Sequence, residues 1–340
     1  MMEKDLYDFL LKLPKVELHN HVEGGAMYPD LVLKFGKRNC VPLPFENEQG
    51  AERFYQFTSL DQFIHILRTT TATLHTAEDY AEAIERQGAE AAKQNIIYHE
   101  LFLTYGLVSR RGVAWEALVE GVEEGVRLNA ERHGVQTAII VDLDRTLPED
   151  VALQHVKLAA RDHDRISAVG IGLDCQENGY PAHRLRRAFD LAVSEGFRLT
   201  AHAGEDGGAE SVWDALGCGV ERIDHGVQSI DDPKLLKELA TKEILLTVCP
   251  ISNIKLHVFP EMEQHSLPQL LEAGVQVCVN SDDPPMFDCN LMAELVAIED
   301  AFSLGKHQLI ALLRNAIEYS FLAEGAKAEL LNRFDLAAAS

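Results

Sequence analysis

Positions 198–205 read RLTAHAGE, a short run of strand-forming residues that closes on His202, a tight-turning Gly204 and an acid, Glu205. The next such segment, RIDHG at 222–226, repeats the plan with His225 at its end. Working outward in both directions, runs of the same kind occur at 16–22, 96–103, 137–143, 166–173, 244–248 and 275–279, which brings the number of candidate strands to eight. Between them lie stretches such as 182–195, 234–241 and 267–273, where Leu, Ala and Val recur at helical spacing. Buried strands alternating with helices build a parallel sheet covered by helices, and eight such units predict an α/β fold closed into a (β/α)8 TIM barrel. The run at 222–225 is polar and counts as a strand mainly by its position.

One connection breaks the rhythm. About seventy residues separate the first strand from the second, too many for a simple crossover. Within it, 60–74 and 78–93 carry helical patterns, so residues 24–94 are expected to form a helical insertion between strands 1 and 2. Its two readings are a lid that excludes water and extra packing against the barrel wall. No low-complexity tract, linker or internal repeat divides the chain, so 1–340 reads as a single domain.

Fifty-four acidic residues against 31 basic ones give a net charge of −23. Such a field repels nucleic-acid backbones and anionic membrane surfaces and suits a small-molecule partner. Residues 1–15 interrupt their apolar positions with Lys4, Asp5, Asp8, Lys12 and Lys15, unlike a signal peptide, and no uncharged run reaches membrane-spanning length. The six cysteines (Cys40, Cys175, Cys218, Cys249, Cys278 and Cys289) form no Cys-x-x-Cys pair and are expected to be reduced core residues. The expectation is a soluble, cytoplasmic protein; the sequence does not set its oligomeric state.

The chemistry-bearing residues fall at the carboxyl ends of the candidate strands, the face on which barrels of this kind build their sites. His19 and His21 end strand one, His202 ends strand five, His225 ends strand six, and Asp282 with Asp283 follow strand eight. On a strand, positions i and i+2 share a face, so His19 and His21 can converge on one ion. Three imidazoles and a carboxylate make a nitrogen and oxygen set suited to zinc with one position left for water. Glu205 can serve as a general acid beside such an ion, or cap the helix that starts near Gly208. His225 can orient and deprotonate a water, or form a polar pair with Asp224 at the rim. Of the paired carboxylates, Asp282 suits the cation and Asp283 a heterocyclic nitrogen, although Asp and Pro clusters also simply make turns. Ser252 and Asn253, after strand seven, can brace the site or cap a loop.

The segments LPKVELHNH at 13–21, HAGE at 202–205, RIDHG at 222–226 and SDDP at 281–284 together resemble the adenosine/adenine deaminase family of the amidohydrolase superfamily. The resemblance extends from residue 13 to residue 287. It implies a hydrolase of purine salvage that removes the 6-amino group of a purine, with one zinc ion per chain held by His19, His21, His202 and Asp282. It further implies that Glu205 protonates ring N1, that His225 handles the attacking water and that Asp283 bonds N7. Glu23 stands where adenosine deaminases carry an Asp for the ribose and resembles the adenine deaminase branch. Asp224, the stretch LTVCPISNIKL at 246–256 and the missing glycine in DCQE at 174–177 lean the same way. The implied reaction is adenine to hypoxanthine plus ammonia, with adenosine or an N6-substituted adenine as alternatives; Asn20, residues 25–27 and residues 286–288 depart from the adenine deaminase pattern and keep a modified adenine open.

Other chemistries fit less well. A binuclear amidohydrolase needs a lysine at the end of strand four, where this chain has Leu173-Asp174, and a cytidine-deaminase type of zinc site needs a Pro-Cys-x-x-Cys that is missing. A reading from a different class is a metal-bearing binding protein without turnover.

Overall fold

The eight strand-forming runs become eight parallel strands in the computed structural model, which describes residues 2–339. They are β1 (Lys15–His21), β2 (Ile96–Leu103), β3 (Gln136–Asp144), β4 (Ala168–Asp174), β5 (Arg198–Ala203), β6 (Arg222–His225), β7 (Leu245–Val248) and β8 (Gln276–Val279). Each pairs in parallel with the next in sequence order. Several strand ends shift by one or two residues from the sequence pattern, and two of these shifts have a visible local reason. Val22 already opens a helical turn, Val22–Gly25, and Ser167 takes a left-handed backbone, φ 51°, that delays β4 to Ala168. The stretch 182–195 divides into a 3-10 turn, Ala182–Leu185, and a helix, Arg186–Ser194.

The seam between β8 and β1 closes partly through side chains. Backbone bonds link Asp282 N–H to the His19 carbonyl (3.0 Å) and His21 N–H to the Asp282 carbonyl (3.3 Å). Below them the Asn280 side-chain oxygen accepts the Leu18 N–H at 2.8 Å, and the Glu17 carboxyl accepts the Ser281 N–H and hydroxyl at 3.1 and 2.5 Å. Burial raises the Glu17 pKa to about 7.

Apolar burial is split between two layers, as expected of a barrel. The larger lies between strands and helices. A smaller cluster of Phe102, Ile140 and Phe321 fills another part of the core. Next to it sits a buried ion pair, Arg222 to Glu100 at 2.7 Å, in which Glu100 also accepts the Tyr98 hydroxyl (3.0 Å) and the Phe321 N–H (2.5 Å). The Arg222 guanidinium lies 4.3 Å from the centre of the Phe321 ring.

The long connection after β1 holds the helices Val22–Gly25, Pro29–Arg38, Glu48–Phe54, Leu60–Thr71 and Ala77–Lys93. The last starts on a capping box, Thr76 with Asp79, and packs along the helix Trp115–Leu128 that follows β2. Gly121 permits the contact: a Cβ there would stand 2.4 Å from the Ala77 carbonyl oxygen. Thus Ala77–Lys93 is a wall helix of the barrel, whereas Leu60–Thr71 carries Phe63 and Leu67 over the carboxyl-end rim. All six cysteines are unpaired. Cys218, Cys249 and Cys278 are buried, but Cys40 is exposed at the end of a helix, which corrects the expectation that all six belong to the core. Among the described residues no helix is long and apolar enough to cross a membrane.

Removing one member of a buried ion pair strands the other charge. Arg222→Ala is therefore expected to lower stability by about 3–5 kcal/mol in urea unfolding; a loss below about 1 kcal/mol would show that Glu100 is held by its other partners alone.

Candidate active site

β1 places His19 and His21 on one face, and β5 brings His202 to meet them. His202 Nε2 lies 3.1 Å from His19 Nε2 and 3.3 Å from His21 Nε2. Asp282 completes the group, its Oδ1 being 3.3 Å from His21 Nε2 and 3.7 Å from His19 Nε2. Phe102 of β2 packs against all three imidazoles, with ring centres 5.0–5.1 Å away.

The outer nitrogens fix which way the inner lone pairs point. His202 Nδ1 donates to the Leu173 carbonyl (3.1 Å), and His19 Nδ1 faces the Thr247 carbonyl (3.2 Å) and hydroxyl (2.9 Å). A carbonyl only accepts, so each Nδ1 carries the hydrogen and each Nε2 presents a bare lone pair. Burial lowers the His202 pKa to about 4, which opposes relief by protonation. Two lone pairs 3.1 Å apart repel unless a cation lies between them. A tetrahedral ion with bonds of about 2.0–2.1 Å would space its donors about 3.3 Å apart, and the four separations given above run from 3.1 to 3.7 Å. The donor set therefore fits a divalent metal.

Neighbouring residues hold the donors in place. Ser252 donates to Asp282 Oδ2 at 2.6 Å, which turns Oδ1 toward the imidazoles. Thr247 donates to Asp224 Oδ1 at 2.8 Å, and Thr200 donates to Asp224 Oδ2 at 2.5 Å, so a buried carboxylate stands behind His19. Gln87, from the wall helix, donates to the Asn20 side chain (2.7 Å) and to the His21 carbonyl (2.8 Å). Both Asp282 and His225 adopt a left-handed backbone, φ 61° and 66°. For residues other than glycine this conformation is strained and gathers at functional sites.

His225 and Glu205 stand beside the cluster. The ligand atoms of His19, His202 and His225 lie within 4.8 Å of one another, and Glu205 Oε1 is 3.6 Å from His225 Nε2. The His225 Nδ1 faces the Asn253 side-chain amide at 3.4 Å, and Asn253 in turn accepts from His265 Nε2 at 3.1 Å. Burial, reinforced by the charges of Asp282 and Glu177, pushes the Glu205 carboxyl well above its ordinary range, which favours its protonated form. Burial lowers the His225 pKa and keeps that imidazole neutral.

Seven of the residues singled out in the sequence, His21, Glu23, His202, Glu205, His225, Asp282 and Asp283, meet at one cavity of about 130 Å³, with His19 wholly buried and Ser252 and Asn253 outside its lining. Its walls are Glu23, Asp283 and Asp174 on the polar side and Phe63, Leu67, Leu107, Leu256 and Phe287 on the apolar side. The Phe63 and Phe287 rings stack at 5.1 Å. Gly24 makes room for Asp283, whose carboxyl atoms would lie 2.2 Å from a Cβ there. Glu23 Oε1 accepts the Thr104 N–H at 3.1 Å; Glu23 Oε2 and Asp283 Oδ1 are buried without a protein partner. Burial, with the Asp282 charge adding to it, raises the Asp283 pKa well above its ordinary range, which favours the protonated form that can donate. A wider surface groove of about 700 Å³ between Lys34, Glu82, Glu120 and Arg132 contains none of these groups.

The chain is similar to known proteins over nearly all of its length. The family described as adenosine deaminase matches residues 14–337. An adenine deaminase of Hahella chejuensis is 37% identical over 331 residues, covering 97% of this chain and 98% of that one. The crystal structure of an adenine deaminase from Arthrobacter aurescens superposes with a TM-score of 0.91 at 32% identity, covering 96% of this chain and 100% of that one. An amidohydrolase from Burkholderia ambifaria, solved with bound zinc, gives a TM-score of 0.90 at 25% identity over 100% of this chain and 95% of its own.

Asp282→Ala removes the only carboxylate among the four converging donors. Purified protein is expected to hold divalent metal at least tenfold more weakly in chelator competition, a loss on the order of that caused by removing even a supporting residue. Unchanged retention would show that the cation is held elsewhere.

Proposed function

The chain belongs to the adenosine deaminase family, and from that membership we propose that it hydrolyses adenine to hypoxanthine and ammonia. One zinc ion at His19, His21, His202 and Asp282 would supply the Lewis acidity that makes water a nucleophile near neutral pH. His225 orients the attacking water toward C6. Glu205 gives its proton to N1 as the new C–O bond forms, which breaks the ring's aromaticity at the position that needs it. The C6–N6 bond then breaks as the C6 hydroxyl becomes the carbonyl; of the two protons the water brought, one leaves on the amine as ammonia and the other returns to Glu205. Asp283 donates to N7.

The observation that carries the choice of a free base is the pair of unpartnered buried oxygens in a small cavity. Glu23 Oε2 lines a space of about 130 Å³ and lacks a donor. A free purine brings a ring N–H to that acceptor, whereas a nucleoside carries its sugar at the same nitrogen. The space is also well below the roughly 300–1,000 Å³ typical of larger ligands. Phe63, Phe287, Leu67 and Leu256 offer apolar walls to the faces of a planar base. The net charge of −23 and the six unpaired cysteines support a small-molecule enzyme of the cytoplasm that does not bind nucleic acid.

Ammonia release from adenine, adenosine and N6-substituted adenines tests the reading. Adenine is expected to exceed adenosine in kcat/KM on the order of 100-fold or more, since the wrong substrate leaves buried polar groups unpaired. Equal rates on adenosine would overturn the free-base assignment. Glu23→Asp should narrow that ratio, and an unchanged ratio would remove Glu23 from substrate selection. Glu205→Gln should lower kcat by about 10²–10⁴-fold with metal retained; loss of metal along with activity would contradict its role as the acid.

A further inference from the structure

The loops after β4 and β5 are joined by one carboxylate. Glu177, three residues beyond β4 and 7% exposed, accepts five hydrogen bonds from the segment that carries Glu205. Its Oε2 receives the Gly204 N–H at 2.8 Å and the Ser211 hydroxyl at 2.5 Å. Its Oε1 receives three successive backbone N–H groups, those of Glu205 (2.9 Å), Asp206 (3.2 Å) and Gly207 (3.4 Å). Consecutive amides pointed at one anion make a nest. Burial works against the charge, but the Ser211 hydroxyl, the nearby Arg145 guanidinium and the amides outweigh it and hold Glu177 at about 2.

Glu205 itself lacks a comparable anchor. Its carboxylate meets His225 Nε2 at 3.6 Å, too far for a hydrogen bond, so the backbone beneath it sets where the side chain stands. That backbone turns through a left-handed Gly204, φ 69°, and passes so close to Glu177 that a Cβ on Gly207 would lie 2.7 Å from Oε2. Glu177 is not among the residues lining the 130 Å³ cavity, so it acts through the loop and not on substrate.

We infer that Glu177 is a positioning residue for the deamination: its carboxylate gathers the amides of residues 204–207 and thereby sets Glu205 against the ring nitrogen it protonates. The inference rests on the deaminase reading above. A side chain that merely stabilised the fold would change the melting temperature and leave turnover alone. A positioning clamp changes kcat, because a catalytic group displaced by about 1 Å can cost on the order of 100-fold.

The test compares wild type, Glu177→Gln, Glu177→Asp and Gly207→Ala as metal-loaded protein, with adenine as substrate and hydrogen–deuterium exchange followed on the peptide spanning 203–208. Glu177→Gln is expected to lower kcat by about 100-fold, to change KM by less than about threefold and to leave metal content unchanged, while exchange at 204–207 accelerates. Glu177→Asp keeps the charge and should recover part of kcat. Gly207→Ala leaves Glu177 in place but crowds its oxygen, and should reproduce the fall in kcat even if the Gln variant does not fold. Turnover within about twofold of wild type in a folded variant whose loop exchanges faster would overturn the inference, as would unaltered exchange at 204–207. If wild type does not deaminate adenine, the deaminase reading fails instead, and the exchange result still reports on the clamp.

Discussion

Two imidazoles whose Nδ1 hydrogens are committed to carbonyl oxygens can only turn bare lone pairs toward each other. His19 and His202 are in that position, 3.1 Å apart in a buried space that resists protonation. Left alone, such an arrangement is repulsive, and a cation between the two nitrogens would relieve it. His21 and Asp282 bring two further donor atoms to within 3.3–3.7 Å of members of this pair or of each other. Burial is the main influence on the Glu205 carboxyl beside this group and pushes its pKa upward.

The four donors straddle the seam of the barrel. His19 and His21 come from β1 and Asp282 from just beyond β8, where closure relies on two main-chain bonds and on the side chains of Asn280 and Glu17. Asp282 enters the left-handed region, φ 61°, at the point where the end of the last strand meets the first. Fold and site are therefore coupled at one place. The aspartate that would ligate the metal also carries the backbone bonds that join the last strand to the first.

Much of this could be read from residue types and spacing. β-rich runs alternating with amphipathic stretches gave eight strands in order, and β5 and β6 began and ended where the pattern put them. The His-x-His pair and the acids at strand ends pointed to one rim because strand periodicity and barrel geometry act locally and predictably. What escaped the sequence depends on partners far away in the chain. Phe102 and the Thr247 side chain support the histidines from other strands without any local mark of that role, and Asp224, read as a rim partner of His225, instead accepts from Thr200 and Thr247. Asp224 and His225 both reach the polar core because a left-handed turn at His225 breaks strand alternation, a departure that a period of two cannot anticipate. Glu177 was visible only as part of a stretch lacking a glycine; its five donors belong to the next loop. In the long connection after β1, helical periodicity was clear for Ala77–Lys93 and for Leu60–Thr71 alike, yet only the packed structure separates the wall helix from the one that overhangs the rim.

The account stands most directly on whether the converging donors and the deamination of adenine share one ion. Protein stripped by a chelator and then titrated with zinc, with ammonia release from adenine followed at each addition, reads both at once. Activity should be absent in the stripped protein and rise in proportion to zinc until about one equivalent per chain, then level off. Full turnover of adenine by metal-free protein would contradict the account.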